Sequence, residues 1–498
     1  MSFDEVITKK ISDVSVKDYF SVSDFSVITR SPQPRVEIRR LGDKLNLIAS
    51  FGTDDSDLKN LVSFSYSRNM DETKSKFSLR IKDSSALSRN YFGITENKNV
   101  FDSIQMFDIV EIHKTAKEEP DFIGVIHSKQ ISATIGGDGK VRKEISISGN
   151  SIVSLYSDFN INLSVIGTYA TSTDAANFTV KNNYFTVKTE SGTTKLEPNK
   201  LKDVILDIWK SFSSYADKLS NVTNTKLLQI INSDELDMAI ECEDIDCKFP
   251  LSTNLYTDGE MNFIQMLRAI FPNGAYEIFE HPRKLVIRER PFCKEKWKAL
   301  TSYQVNINRL IEYDFNQNDN EVYSVFMADV EGLSAIETRL NYKKKSATTE
   351  GFIKVEQNLE NIQTYGYRLC NVNFLGYAQN PKLTNDNEIL SDLDKQLKEM
   401  YENNHKMLNG RIKMVDQFKG DTPTIGDKLV FKIKHNNSYQ ETEFYINSET
   451  HSWNFGSAMT VEYNVSRGAV YNSDGSFYKT PEYFSTAIEN EIPYSQRT

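Results

Sequence analysis

Hydrophobic and polar residues alternate with a period of two over much of this chain. The clearest case is HSWNFGSAMTVEYNVSRG, His451 to Gly468, where Val461, Tyr463 and Val465 fall on one side and Glu462, Asn464 and Ser466 on the other. That period predicts a β-strand with one wet face, and the preceding EFYINSET predicts its hairpin partner. Between residues 36 and 150 the same texture recurs in short segments: LNLIASF, NLVSFSYSRN, SKFSLRIKD, MFDIVEIH, DFIGVIHSK and RKEISISG. Polar or glycine-bearing turns separate them, and IGGDGK (Ile135 to Lys140) reads as a hairpin tip because glycine reaches positive φ without strain. Short strands in such a run predict a small barrel or sandwich.

The period changes past Asn150. SIVSLYSDF reads as a short helix, and Leu201, Val204, Ile205, Ile208, Phe212, Tyr215 and Leu219 recur at steps of three and four, as on an amphipathic helix. A second helix is predicted through EMNFIQMLRAIF, stopped by Pro272 and followed by a hairpin, AYEIFEH and KLVIRER, that turns at His281–Pro282. Residues 151–300 therefore read as an inserted α+β domain. Strand texture returns at NINRLIEYDF and EVYSVFMADV. A charged helix is expected from Asn387 to Leu408, with Ile389, Leu390, Leu393, Leu397 and Met400 on one face and Asn409–Gly410 as its C-cap. GRIKMVDQF, TIGDKLVFKI, TEFYINSETHSW and AMTVEYNVSR form the last strand-rich unit.

Residues 106–149 and 425–468 share a pattern. Each opens a strand with an aspartate (Asp108, Asp427), places an aromatic at the start of the next strand (Phe122, Phe444) and a histidine near its end (His127, His451), and closes on a glycine (Gly149, Gly468). The expected organisation is an N-terminal arm (1–35), a first β-barrel domain (36–150), the inserted domain (151–300), connecting strands and helix (301–408), a second β-barrel (409–470) completed by strands from 301–340, and a C-terminal tail (471–498).

Composition narrows the function classes. The 498 residues suffice for two to four domains at roughly 150 residues each. A net charge of −10 makes a general affinity for duplex DNA or anionic membranes a poor expectation; the basic NYKKKSA, Asn341 to Ala347, reads as a solvated loop. The start of the chain lacks an apolar leader, and no apolar run approaches the roughly 20 residues of a membrane helix, so folding in a cytoplasm is expected. Four cysteines fit reduced thiols, and the spacing of Cys242 and Cys247, with no paired Cys/His motif after it, does not suit zinc.

No nucleophile elbow, zincin helix, phosphate loop or dinucleotide fingerprint is present, and nothing selects an acid/base pair among the many carboxylates, including those of CEDID (Cys242 to Asp246). No catalytic, cofactor-binding or metal residue is expected. His127 and His451 read as strand-end histidines facing solvent or a neighbour, and Asp108 and Asp427 as turn caps ahead of their strands.

QMFDIVEIHKTAKEEPDFIGVIHS with EISISGNS, then GEMNFIQMLRAIFPNGAYEIFEHPRKLVIRER, TIGDKLVFKI and MTVEYNVSRG occur in the order found in baseplate hub proteins of phage tails, and over most of residues 36–470 the chain resembles that late-control-protein-D-like family and its relatives in contractile injection systems. The resemblance implies a mainly β fold with an inserted α+β domain and two similar tail-tube-like β-barrels, assembling as a trimeric ring. It further implies a homotrimer that joins the six-fold tail tube protein to a trimeric central spike protein, contacts other baseplate proteins, passes DNA transiently through its lumen, and resides in the virion tail after assembly in the host cytoplasm. It implies no enzyme activity and no cofactor. A tail-associated cell-wall or polysaccharide hydrolase within 151–300, and a β-rich carbohydrate-binding adhesin, are the alternatives. In the hub reading Val461, Tyr463 and Val465 point into the barrel, while Glu462, Asn464 and Ser466 line a lumen or a hydrated interface.

Overall fold

Strands dominate the computed structural model, and helices are few and short. It describes residues 34–42, 44–52, 60–70, 74–82, 100–114, 119–135, 141–158, 160–162, 185–190, 193–198, 238–242, 260–271, 276–291, 294–317, 322–330, 352–357, 359–373, 408–416, 422–435, 438–471 and 477–478, with single positions or pairs between 200 and 236. Most of the arm and of the helices expected over Leu201–Leu219 and 387–408, the basic loop at 341–347, Cys247, the 136–140 hairpin tip and most of the C-terminal tail lie outside the described residues; of the first helix, Lys202, Asp203, Ile205, Leu206 and Trp209 are described and helical, while Arg35 and Leu408 each open a strand. No described helix is long and apolar enough to cross a membrane.

One large sheet carries the molecule. Its first part comprises β1 (Arg35–Leu41), β2 (Leu45–Phe51), β3 (Leu61–Asn69), β4 (Lys76–Lys82), β5 (Ile109–His113), β6 (Phe122–Ile135) and β7 (Val141–Ser151). Its second part comprises β8 (Ser302–Gln304), β9 (Leu310–Gln317), β10 (Leu408–Val415), β11 (Lys428–His435), β12 (Ser438–Asn454) and β13 (Thr460–Tyr471). The spatial order is β9-β10-β13-β12-β3-β4-β7-β6-β5-β1-β2, with β11 also on β12 and β8 on β11.

Two five-strand units share one topology within this sheet. In chain order the first is β3, β4, β5, β6, β7 and the second is β9, β10, β11, β12, β13; in space they run β3-β4-β7-β6-β5 and β9-β10-β13-β12-β11. The registers agree at two slips, while the second unit has two further ones against β13, between Leu408 and Gly410 and between Glu443 and Tyr445. β3 slips against β4 between Leu61 and Ser63, and β9 slips against β10 between Leu310 and Glu312. β6 slips against β7 between Ile126 and Ser128, and β12 slips against β13 between Ile446 and Ser448. Bulges of this kind re-aim a strand at a fixed place, so their coincidence fixes the residue correspondence between the units.

That correspondence corrects part of the sequence-based pairing. Ile126 matches Ile446, so His127 matches Asn447, and His451 matches Ile131. Phe444 matches Gly124 rather than Phe122, because Leu429 faces Phe444 as Val110 faces Gly124. Gly149 matches Val465, since each lies opposite the matched residues Ile126 and Ile446. Neither Gly149 nor Gly468 ends its strand. Asn409 and Gly410 lie inside β10 and cap no helix; a Cβ on Gly410 would sit 2.0 Å from the Asp314 carbonyl oxygen, so close strand approach requires the glycine.

Each unit has its own core. Phe64, Leu79, Ile112 and Ile147 lie in the first, joined by Trp453 and Met459 from the second unit. Ile412, Phe444, Ile446 and Tyr463 lie in the second, joined by Phe279 and Val286. Those last two come from the hairpin Tyr276–His281 and Lys284–Glu289, which follows helix Phe263–Ile270. The helix starts later than its sequence pattern suggests: Glu260–Asn262 is a strand, and Asn262 and Gln265 close a reciprocal capping box at Phe263. Residues 325–330 pair with 352–357 and 369–373 in a separate sheet.

Candidate functional site: the polar sheet face and the seam between the units

The two aspartates expected to cap turns do so with matching geometry. Gln105 N–H donates to Asp108 Oδ2 (2.7 Å), and Thr424 N–H donates to Asp427 Oδ2 (3.1 Å). In both turns the residue before the aspartate takes positive φ, Phe107 at 67° and Gly426 at 87°. Phe107 N–H then donates to Ile126 O and Gly426 N–H to Ile446 O, each at 3.0 Å. Arg40 grips Asp108 bidentately at 2.8 Å. In the second unit burial pushes the Asp427 carboxyl up to about 6 despite the Thr424 N–H.

Alternation leaves a wet face that crosses both units. One row runs Asp314, Arg411, Asn464 and ends on the buried Ser448, and another runs Ser452, Ser65, Ser78, Ser148, Ser128, each residue opposite the next on the neighbouring strand. The face is built of small polar residues and paired charges: Arg411 meets Glu312 at 2.9 Å and Glu462 at 3.6 Å, and Arg80 meets Glu144. Val461, Tyr463 and Val465 are buried on the opposite face, as their alternation predicts. Ser466 departs from the expected wet set: it is buried, donating to Asn447 Oδ1 at 3.0 Å.

A buried charge cluster closes the seam between the units, where the outer half of β12 pairs with β3. Arg68 Nη1 lies 2.6 Å from Glu449 Oε1, and Arg68 also donates to the Asp121 carbonyl oxygen. His451 Nδ1 lies 2.7 Å from Asp416 Oδ2, and Lys114 Nζ reaches the same oxygen at 3.2 Å. Burial alone favours neutral carboxyls here, but Arg68, His451 and Lys114 hold Glu449 below the ordinary carboxylate range, and Lys114 and His451 do the same for Asp416. The His451 ring stacks on Tyr66 at 4.7 Å. His451 is thus 2% exposed and no solvent-facing strand end, whereas His127 is exposed at a bulge. Since Arg68 and Lys114 come from the first unit and Glu449, His451 and Asp416 from the second, the cluster is a latch.

The hairpin spans both units. Ser151 Oγ donates to Glu280 Oε2 at 2.5 Å, and burial raises that carboxyl to about 7. Arg288 donates to Glu277 (2.5 Å) and to Gly426 O (2.8 Å), while Tyr445 donates to Glu277 (2.7 Å). Glu37, Glu111 and His113 come close enough to suggest a cation site. Arg39 bonds both carboxylates, at 2.8 Å from Glu111, and Arg35 lies 3.1 Å from Glu37. Guanidinium groups therefore supply the positive charge a cation would bring. Cys242 is buried.

Sequence reasoning missed Arg68, Glu449, Asp416 and Lys114, which are far apart in the chain. The only available signal was charge at positions that the alternation assigns to the core side.

No protein-family model and no curated protein matches the sequence. Solved structures do match. The tail protein from Neisseria meningitidis MC58 is 11% identical, with 87% of this chain and 96% of that chain covered and a TM-score of 0.46. The 43 kDa tail protein of prophage MuSo2 from Shewanella oneidensis is 10% identical, with 86% and 98% covered and a TM-score of 0.43. A chain of the half-lidded Francisella PdpA–VgrG complex is 10% identical, with 96% of this chain and 64% of that chain covered and a TM-score of 0.40.

Proposed function

We propose that this chain is a structural subunit of a phage tail or related contractile injection machine, the hub of its baseplate, acting as a homotrimer. One observation carries the reading: a single chain holds two five-strand units of the same topology, joined edge to edge through β12 and β3. Three such chains present six similar units, which is what an adaptor between a six-fold tail tube protein and a trimeric central spike protein requires. In this reading each unit curls into a small barrel, the first within residues 36–150 and the second within 409–470 completed by β8 and β9. The remainder of residues 151–300 and 301–408, outside the hairpin 276–289 and strands β8 and β9, forms the inserted and connecting parts. The arm 1–35 and tail 471–498 contact other baseplate proteins.

The wet face lines the passage. Its serines and paired charges give DNA no strong cationic binding surface, so a strand in transit is not retained by counterion release. The latch, the turns and the hairpin act through shape and stability, and the chain is not an enzyme. Light scattering on the purified chain, alone and with its spike, tests the reading together with electron microscopy. A trimer with a three-lobed ring supports it. A species that stays monomeric with and without the spike, or cell-wall cleavage abolished by one carboxylate substitution, overturns it.

A further inference from the structure

The strand pairing that joins the two units inside the chain has a second copy of its components. The outer half of β12 lies along β3 from Ser448↔Asn69 to Asn454↔Ser63, with Phe455 N–H donating to Val62 O at 2.9 Å. The matching segment of the first unit is the outer half of β6, Ser128–Ile135. The strand matching β3 is β9, where the shared slip aligns Val62 with Ile311, Phe64 with Tyr313 and Tyr66 with Phe315. Among the described strands, this half of β6 pairs only with β7, and β9 ends the sheet beside β10.

We infer that a second copy of this chain lays its β9 antiparallel along the outer half of β6, in the register that β3 and β12 use. Ile135 then faces Ile311, Ile131 faces Phe315, and Gln130 faces Asn316. The inference rests on the trimer reading above and specifies which edge of one copy meets which edge of the next.

Side-chain chemistry supports that partner. In β12 the core-side residues Glu449, His451 and Trp453 are buried because the first unit covers them. Their counterparts in β6 are Lys129, Ile131 and Ala133, and Ile131 is 40% exposed. Ile135 is 76% exposed and Ile311 52%. These isoleucines sit on the two edges that the register brings together, so one pairing covers both. On the wet face Thr134 would face Glu312 and Ser132 would face Asp314, hydroxyl against carboxylate, with no like charges opposed. Because the two edges differ, copies add head to tail, and a ring forms when the rotation closes. Lys129 and Gln317 replace Glu449 and Arg68, so this seam lacks the buried ion pair.

Cysteine cross-linking tests the register. In the intrachain seam the hydrogen-bonded pair Phe455/Val62 makes Thr450/Ser67 a non-hydrogen-bonded pair, and Gln130/Asn316 is its match. Such pairs hold Cα atoms about 4.5 Å apart, within disulfide reach. The double variant Q130C/N316C, treated with diamide at high protein concentration, is expected to give covalent trimer on a non-reducing gel. Q130C/E312C, four residues out of register, and either single variant are expected to give none. Circular dichroism confirms that each variant is folded. A trimer by light scattering without in-register cross-links overturns the pairing and leaves the hub reading intact. Self-cross-linking of Q130C alone makes the interface isologous and also overturns the pairing. Monomers throughout, with and without spike, overturn both.

Discussion

The first and second units place the same side-chain volume on different strands. In the first, Phe77 of β4 lies over two glycines: a Cβ on Gly124 would meet its ring at 2.6 Å, and one on Gly149 at 2.8 Å. In the second, the position of Phe77 is Gly410 and the position of Gly124 is Phe444. The Phe444 ring stacks on Phe315 at 4.8 Å and leaves room for no Cβ on Gly468, which would meet it at 2.3 Å. One phenylalanine fills the centre of each unit, but it comes from β4 in one and β12 in the other. The two cores thus exchange which strand supplies this ring, a swap of the kind that packed interiors tolerate when the total volume is kept.

The largest expected effect breaks this comparison directly. Gly124→Phe alone puts a second ring where Phe77 already lies, and the first unit should not fold. Phe77→Gly alone leaves a cavity and should cost about 3–5 kcal/mol, the range of a buried Phe truncation. The double variant reproduces the second unit's arrangement and should be more stable than either single one. A denaturation cycle measures the coupling; additive losses would show that the two cores are not interchangeable.

Next in size is the latch. Glu449→Ala leaves the Arg68 guanidinium buried without its carboxylate and should cost about 3–5 kcal/mol. Lys129, at the matching place in β6, donates to the carbonyls of Phe101 and Ile104, at 2.7 Å each, and lies 4.3 Å from the centre of the Phe101 ring. Lys129→Ala should cost about 1–2 kcal/mol, two net hydrogen bonds and a cation–π contact, with no buried charge left behind. Urea melts of the two variants check the contrast. Equal losses would mean that the seam is no stronger than a surface contact.

The same contrast explains what the sequence made legible. The turns at Asp108 and Asp427 were readable because four neighbouring residues determine them. The buried side of β13 was readable because alternation alone places Val461, Tyr463 and Val465. The latch was not, since Arg68 and Glu449 are 381 residues apart and a charge on the core side of one strand does not name its partner on another. The aromatic and glycine matches between the units slipped because the central ring sits on β4 in one and β12 in the other, so aligning phenylalanine with phenylalanine shifted that strand by two, and aligning Gly149 with Gly468 shifted the last one by three. The histidines slipped because His127 occupies a bulge, a position that carries no face identity.

A smaller effect follows from the hairpin where it touches the first unit. Burial raises the Glu280 carboxyl from 4.5 to about 7, so the folded protein binds this proton more tightly than the unfolded chain does. The favourable contribution is complete below pH 4.5 and is lost as pH rises through 7, amounting to about 3 kcal/mol at most. Glu280→Gln removes the titration while keeping an acceptor for Ser151. It should change stability little at pH 4 and raise it at pH 8. Thermal melts across that interval check the sign; a variant less stable than the parent at pH 8 would mean that the ionised carboxylate is held by Arg68 after all.

The smallest effect concerns the wet face. Glu462 is half-buried, and its nearest cation, Arg411, lies 3.6 Å away and is also held by Glu312 at 2.9 Å. Exposed pairs of this geometry contribute little, and the arginine keeps a carboxylate when Glu462 is neutralised. The matching position in the first unit is Ser146, between Arg80 and Gln130, so the architecture already accepts an uncharged residue at this point on the face. Glu462→Gln should therefore change stability by less than about 0.5 kcal/mol and leave the oligomeric state unchanged. Val465→Asp, three strand positions away and on the opposite face, buries a carboxylate beside Ile446 and Gly410 and should unfold the second unit. Light scattering and a thermal melt on this pair read the orientation of β13 directly. If Glu462→Gln dissociates the assembly while Val465→Asp stays folded, the polar row is an interface rather than a lumen wall, and the passage must be lined by another surface.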